Sequence, residues 1–247
     1  GRACTGSGKL DRNSIRLAVM SQKRREIPVF DHPIIETHCH LDYLKDQPLD
    51  DILSQTRAVN IEKVITIAVS PANLARVREL SRQQPWLYGT QGIHPHEAES
   101  YSDACEAEIR QHADDDKIVA IGEIGLDYYY DNADRNVQRE VFRRQLQIAC
   151  DHDQPVVIHS RDADEDTITI LSEFEHTLKR RGVMAPIEQI LLETDAPFLT
   201  PVPYRGRENA PFYLPFVAEK IAEVKALPLV EVIRTTYQNS LRTFFPV

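Results

Sequence analysis

The stretch Pro33-Ile-Ile-Glu-Thr-His38-Cys-His40 passes from an apolar strand directly into two histidines, and the rest of the chain is interpreted around it. In a strand, residues two apart point to the same side, so His38 and His40 can hold one metal ion from a rigid strand end. Two unrelated surface histidines are the alternative. The metal interpretation is favoured because the other predicted strands also end in polar residues of ligand type.

Apolar strand-like runs alternate with helix-like stretches from Pro33 onward, which is typical of a parallel sheet covered by helices. Six strands are predicted, at 33–37, 64–69, 87–90, 118–121, 155–158 and 190–192. Seven helices are predicted, at 49–59, 73–83, 104–113, 137–150, 164–178, 212–224 and 229–243. A length of 247 residues suits one barrel of this kind. The expected fold is therefore α/β, a TIM-type (β/α) barrel.

Polar residues gather where the predicted strands end, which is where parallel α/β proteins build their sites. The strands are followed by these residues in chain order: His38 and His40, His94 and His96, Glu123, His159 and Arg161, then Glu193 and Asp195. We expect several strands to direct ligands toward one place.

Each further ligand candidate has a plainer interpretation. Glu123 can be a solvated loop acid, but Gly122 and Gly125 allow the backbone to bend tightly around it. His159 can be a satisfied core histidine. Asp195 can be a helix N-cap, or it can bind metal while accepting a proton from water. For all three the predicted role is metal binding.

Imidazoles and carboxylates without a cysteine ligand indicate an open catalytic centre and not a closed structural zinc site. The chain has neither a Gly-x-Ser-x-Gly motif nor a Gly-x-Gly-x-x-Gly motif, so a serine hydrolase and a dinucleotide enzyme are not indicated. A formal net charge of −9 argues against a non-specific DNA coat. The residues therefore predict a metal-dependent hydrolase.

The first 33 residues differ from the remainder, with seven basic residues against three acidic ones. We expect residues 1–33 to form an extension that is disordered or begins at a non-native start, Met20 being the expected native start. Residues 34–247 are expected to form a single metal-dependent hydrolase domain. The four cysteines form no Cys-x-x-Cys pair, and no apolar run is long enough to span a membrane, so a cytoplasmic monomer is expected.

The motifs taken together resemble the TatD family of metal-dependent deoxyribonucleases, which belong to the amidohydrolase-type barrels. The resemblance covers about residues 33–245. It is carried by Glu36-Thr-His38-Cys-His40-Leu-Asp42, Gly92-Ile-His94-Pro-His96, Ile121-Gly-Glu123-Ile-Gly-Leu-Asp127-Tyr-Tyr129, Pro155-Val-Val-Ile-His159-Ser-Arg161-Asp162, Leu192-Glu-Thr-Asp195-Ala-Pro197, and Pro203-Tyr-Arg205-Gly206 with Glu208-Asn209.

The resemblance implies a role for each matching position. His38 and His40 would bind one metal, Glu123 would bridge two, and His159 would bind the second. Asp195 would bind metal and, with Glu123, act in catalysis. The expected cofactors are divalent ions (Mg, Mn or Zn), and the expected substrate is DNA, single-stranded or at 3′ ends. The predicted substrate-binding residues are His94, Arg161, Arg205 and Asn209, although Arg205 is about as well explained as part of a solvated basic loop.

One departure from the family pattern is large. Between the His159 and Asp195 motifs the family carries a further stretch with another histidine ligand of the second metal. About forty residues of the family pattern are absent here, which leaves about six strands where a barrel has eight. His176 lies in the remaining stretch but is not assigned as the replacement. We therefore predict one tightly bound metal and a weak second one.

Two alternatives stay open at this point. One keeps the site and changes the substrate, making the protein a deacylase or amidohydrolase, such as one that cleaves aminoacyl-tRNA. The other is a non-catalytic remnant, because open sheet edges invite association.

Overall fold

Five parallel strands form one sheet in the computed structural model, which describes residues 25–174 and 187–246. The strands are β1 (Ile34–Cys39), β2 (Ile61–Thr66), β3 (Leu87–Gln91), β4 (Ile118–Asp127) and β5 (Val156–Arg161), and they pair in chain order. The sheet curls into part of a TIM-type α/β barrel, so the predicted incomplete barrel is confirmed.

The sixth predicted strand, Ile190–Leu192, does not form as a regular strand. The chain from Leu192 to Ala196 nevertheless runs along the edge of β1 that β2 does not occupy. Thr37 N donates to Leu192 O at 3.1 Å and His40 N donates to Ala196 O at 2.7 Å. Between these bonds Asp195 has a φ of 55°, a left-handed conformation that interrupts the ladder. Among the described residues, no strand joins β5 to this segment.

Seven α-helices of the described residues cover the sheet, each where one was predicted. They are α1 (Leu49–Ala58), α2 (Leu74–Ser81), α3 (Asp103–His112), α4 (Arg135–Asp151), α5 (Asp164–Glu173), α6 (Leu214–Lys225) and α7 (Leu229–Phe244). The predicted continuation of α5 to Leu178, together with His176, lies outside the described residues. None of the described helices is long and apolar enough to cross a membrane.

Strand β4 is longer than predicted, and all ten of its residues are buried. The sequence prediction ended the strand at Ile121 because polar and glycine residues follow. Those glycines instead allow β4 to pass very close to β5: a Cβ on Gly125 would lie 2.0 Å from the carbonyl oxygen of His159. Glu123 is thus held inside a strand and does not lie in a loop.

Three apolar clusters fix the sheet. One joins β1 and β2 to α1 and α6, and a second joins β4 to α3 and α4. The third contains Ile65, Ile67 and Val119 together with Phe244 at the end of α7. The described part of the predicted extension packs against the domain, since Ile27 and Phe30 contact the apolar cluster that joins β1 and β2 to α1 and α6.

Candidate metal centre

His38 and His40 stand on the same face at the end of β1, as the strand period requires. Their rings are 5.2 Å apart between centroids, and both residues are buried. Asp195 reaches the same point from the neighbouring segment, where its backbone N–H donates to His38 O at 2.9 Å. Its Oδ1 lies 3.6 Å from His38 Nε2 and 3.5 Å from His40 Nε2. We call these three residues the first cluster.

The geometry of the first cluster fits a divalent ion. Ligand atoms around a tetrahedral ion with bonds of about 2.1 Å are about 3.4 Å apart, close to the distances between these nitrogens and Oδ1. His40 Nδ1 lies 3.3 Å from Ile67 O, so that nitrogen carries the proton and Nε2 is left free as a ligand. His38 Nδ1 likewise faces Glu193 Oε2 at 3.6 Å, which again turns Nε2 toward the centre.

Glu123 lies between two groups of histidines. Its Oε2 is 3.5 Å from His38 Nε2, and its Oε1 is 3.2 Å from His159 Nδ1 and 3.9 Å from His94 Nε2. Each carboxylate oxygen thus faces a different group, the arrangement that a bridging ligand needs. We call His94, Glu123 and His159 the second cluster, and their ligand atoms lie within 4.8 Å of one another.

In the absence of a metal ion, the carboxylates of the centre favour the protonated form of His38. Burial alone would lower the pKa of His38, but its hydrogen bond to Glu123 and the nearby carboxylates raise that pKa to about 9. Burial alone would raise the pKa of Glu123, but hydrogen bonds from His159 and His38 hold it well below its usual value. The centre is therefore an acidic pocket that attracts positive charge.

Only one imidazole of the second cluster is oriented as a ligand. His159 Nε2 donates to Asp127 Oδ2 at 2.8 Å, which turns Nδ1 toward the centre, where it is hydrogen-bonded to Glu123 Oε1 at 3.2 Å. His94 has the opposite arrangement, because its Nδ1 accepts the backbone N–H of His96 at 3.0 Å. The proton of neutral His94 must then be on Nε2, which faces the centre as a hydrogen-bond donor.

Two acids of the centre were not predicted as site residues. Asp127 is fully buried and accepts from both His159 and His96 Nε2, the latter at 2.9 Å. It lies four residues after Glu123 on one strand, so the period of two was the signal that could have identified it. Glu36 is also fully buried, and its Oε1 accepts the backbone N–H groups of His38 and Thr194, both at 3.0 Å. It links β1 to the segment that carries Asp195.

The predicted substrate-binding residues lie in different surroundings. The Arg161 guanidinium lies over the rings of Tyr129 and Tyr130, at 4.3 and 4.8 Å from their centroids. Arg205 is exposed in its loop, and within residues 25–174 and 187–246 no hydrogen bond or ion pair links it to either cluster. Asn209 is fully buried, and its amide donates to Thr194 O at 2.8 Å and to Phe198 O at 2.6 Å. Asn209 therefore shapes the loop around Asp195 instead of facing solvent.

Comparison with known proteins gives a consistent family match. The profile described as TatD related DNase matches residues 35–184 and 181–245. The chain is 31% identical to the uncharacterised metal-dependent hydrolase YabD of Bacillus subtilis, over 85% of this chain and 98% of that protein. It is 28% identical to the 3′-5′ ssDNA/RNA exonuclease TatD of Escherichia fergusonii, over 83% of this chain and 95% of that protein.

A solved structure agrees with the sequence matches. The TatD homologue YjjV of Escherichia coli K12 superposes with a TM-score of 0.76 at 26% identity, covering 87% of this chain and 98% of that chain. The match to YabD also gives the size of the difference in length. It extends over 251 positions but uses 85% of this 247-residue chain, so roughly 40 positions of the relative have no counterpart here.

Proposed function

The chain belongs to the TatD related DNase family of metal-dependent hydrolases, and on that premise we propose that it removes nucleotides from the 3′ ends of single-stranded DNA. The observation that carries the proposal is the first cluster, whose three ligand atoms have both the spacing and the ring orientation that a divalent ion needs. The name of the E. fergusonii relative supports the substrate and the direction, and it adds RNA as a second substrate.

We assign the first metal to His38, His40 and Asp195, with Glu123 as the shared ligand. A divalent ion held by these residues would lower the pKa of bound water and would neutralise charge that develops on the phosphoryl oxygens. Mg, Mn and Zn all suit this mixture of imidazole and carboxylate ligands. His159 and Glu123 remain for the second metal, which we expect to bind weakly unless a substrate phosphate completes its ligands.

The chain's own residues would handle the proton and the phosphate. Asp195 keeps one carboxylate oxygen beyond the Oδ1 that faces the histidines, and it is half-exposed, so it can accept a proton from the attacking water. His94 Nε2–H faces Glu123 and is directed into the space where the phosphate would lie. It would donate a hydrogen bond to a phosphoryl oxygen, which agrees with its predicted role in substrate binding.

The three remaining residues that were predicted to bind substrate have two different roles. Arg161 would hold the phosphate backbone beside the second cluster, and the exposed Arg205 would contact the backbone farther along. Asn209 would act as a positioning residue, because its amide already donates to Thr194 and Phe198.

The test is nucleotide release from a 5′-labelled single-stranded oligonucleotide with Mg or Mn. We expect stepwise shortening from the 3′ end that stops on addition of a chelator and is absent when His38 and His40 are both alanine. No release under conditions where a full-length relative is active would overturn the proposal. Hydrolysis of an aminoacyl-tRNA ester in the same preparation would then identify a deacylase.

A further inference from the structure

Three aromatic side chains are exposed in the part of the chain that the structure describes, and all three border the metal centre. Tyr129 is 58% exposed, Tyr130 54% and Phe198 50%. Every other phenylalanine, tyrosine and tryptophan of residues 25–174 and 187–246 is buried or half-buried. Exposed aromatic surface that is confined to the surroundings of a site marks a surface for binding.

The two tyrosines are fixed to the second cluster by one carboxylate. Asp127 Oδ1 accepts the backbone N–H groups of Tyr129 and Tyr130 at 3.1 and 2.8 Å, while its Oδ2 accepts from His159. The Tyr130 ring lies 5.5 Å from the His96 ring. Arg161 adds a positive charge directly over both tyrosine rings. We call Tyr129, Tyr130 and Arg161 the tyrosine platform.

Phe198 has the equivalent place beside the first cluster. Its ring lies 6.0 Å from the His40 ring, and its backbone N–H donates to Asp195 O at 2.9 Å. Asn209 Nδ2 donates to Phe198 O, so the loop that presents this ring is fixed on both sides. The exposed rings therefore border the centre beside His40 and beside His159.

We propose that the tyrosine platform and Phe198 stack the nucleobases that flank the scissile phosphate, one on the side of each cluster. The inference rests on the proposed function, because it requires a nucleic acid as substrate. Aromatic rings stack on every base with little sequence preference, and Arg161 supplies a charge for the phosphate backbone. A base that is paired and stacked within a duplex cannot take either position, so the substrate must be unpaired at the site.

The first experiment measures binding without turnover. Fluorescence anisotropy of a labelled ten-nucleotide single strand with cleavage-resistant phosphorothioate linkages is followed with the metal-loaded protein. We expect the double change Tyr129→Ala and Tyr130→Ala, and separately Phe198→Ala, to weaken binding about tenfold. Tyr130→Phe keeps the stacking face and should bind like the unchanged protein, as should Val224→Ala, which removes an exposed apolar side chain on α6. Unchanged affinity in both alanine variants would overturn the proposal.

The second experiment removes the base instead of the ring. The 3′-terminal or the adjacent nucleotide is made abasic, and the metal-loaded protein should cleave each of these strands about tenfold more slowly than the normal strand. The alanine variants should lose this discrimination, each at one of the two positions. Equal cleavage of normal and abasic strands by the unchanged protein would overturn the stacking proposal while leaving the nuclease proposal intact. No cleavage of any strand would instead count against the nuclease proposal, and the binding experiment would still test the stacking proposal.

Discussion

The two clusters of the centre contain the same kinds of side chain at similar distances, yet they differ in what they can hold. In the first cluster, both imidazoles turn Nδ1 away, His40 toward Ile67 O and His38 toward Glu193, so both Nε2 atoms are available to a metal. In the second cluster, His159 is oriented in this way, but His94 uses its unprotonated nitrogen to accept the N–H of His96. Proximity of three ligand-type residues is therefore not sufficient, because the hydrogen bond at the far ring nitrogen decides whether an imidazole binds metal or donates a proton.

The difference also follows from the topology. The first cluster is built from β1 and the segment that pairs with it, both of which the chain retains. The second cluster lies beside β5, which is an edge strand of the sheet among the described residues, and the family match divides into two segments at residues 181–184, after β5. We therefore infer that the chain keeps one site and weakens the other.

The largest effect is expected from removal of the first cluster. Changing His38 and His40 together to alanine removes two of the four ligands assigned to the first metal. We expect loss of the bound metal and a fall in phosphodiesterase activity of about a thousandfold or more, since a metal contributes several kcal/mol to transition-state stabilisation. Metal content and initial rates measure the two effects. Retention of more than a tenth of the activity would contradict the assignment.

A smaller and more selective effect is expected from Asp127→Asn. This change removes the carboxylate that holds His159 and should weaken the second metal about 10- to 100-fold, the usual effect of losing such a partner. Binding of the first metal should be unaffected. Titration with Mn, followed by the activity at each concentration, separates the two sites. The comparison between the clusters would fail if the tightly bound metal were the one lost.

The affinity of the protein for the first metal is expected to change by up to about tenfold for each pH unit. Free His38 has a pKa raised to about 9, so at pH 7 a metal must displace its proton. Affinity should therefore rise by up to about tenfold for each pH unit from 7 toward 9 and level off above it. Calorimetry in buffers of different ionisation enthalpy should find about one proton released at pH 7. His159→Ala serves as the control and should leave this number near one, whereas zero protons would contradict the raised pKa of His38.

The smallest effect concerns stability and tests the close approach of β4 to β5. Gly125 has a φ of 136°, and an added Cβ would meet the carbonyl oxygen of His159 at 2.0 Å. Gly125→Ala should lower the free energy of unfolding by about 2 kcal/mol or more. Gly206→Ala is the matched control, since Gly206 also has a positive φ but no atom lies within 4 Å of its Cβ position, so a loss of about 1 kcal/mol is expected. Equal losses in urea unfolding would show that the close approach of β4 to β5 adds nothing.

The sequence was sufficient for the fold and for most of the side chains that meet in the centre. Apolar runs that end in histidines and acids predicted β1 to β5, and the structure brings His38, His40, Glu123, His159 and Asp195 together. The sequence was not sufficient where the role of a residue depends on its three-dimensional surroundings. Asn209 has a side chain that could bind a substrate, but its amide donates hydrogen bonds to two backbone carbonyls, and the sequence gives no sign of these contacts. Asp127 was overlooked because a polar residue after two glycines resembles a loop, although β4 continues through it.

The most direct test of the account is the metal content of the purified protein after extensive dialysis, measured by elemental analysis for the unchanged chain and for His159→Ala. We predict one divalent ion per chain in both proteins, since the first cluster is complete and His159 belongs only to the weak site. Two tightly bound ions in the unchanged chain, with one lost in His159→Ala, would contradict it. That result would mean that His94 or another residue serves as a ligand of the second metal.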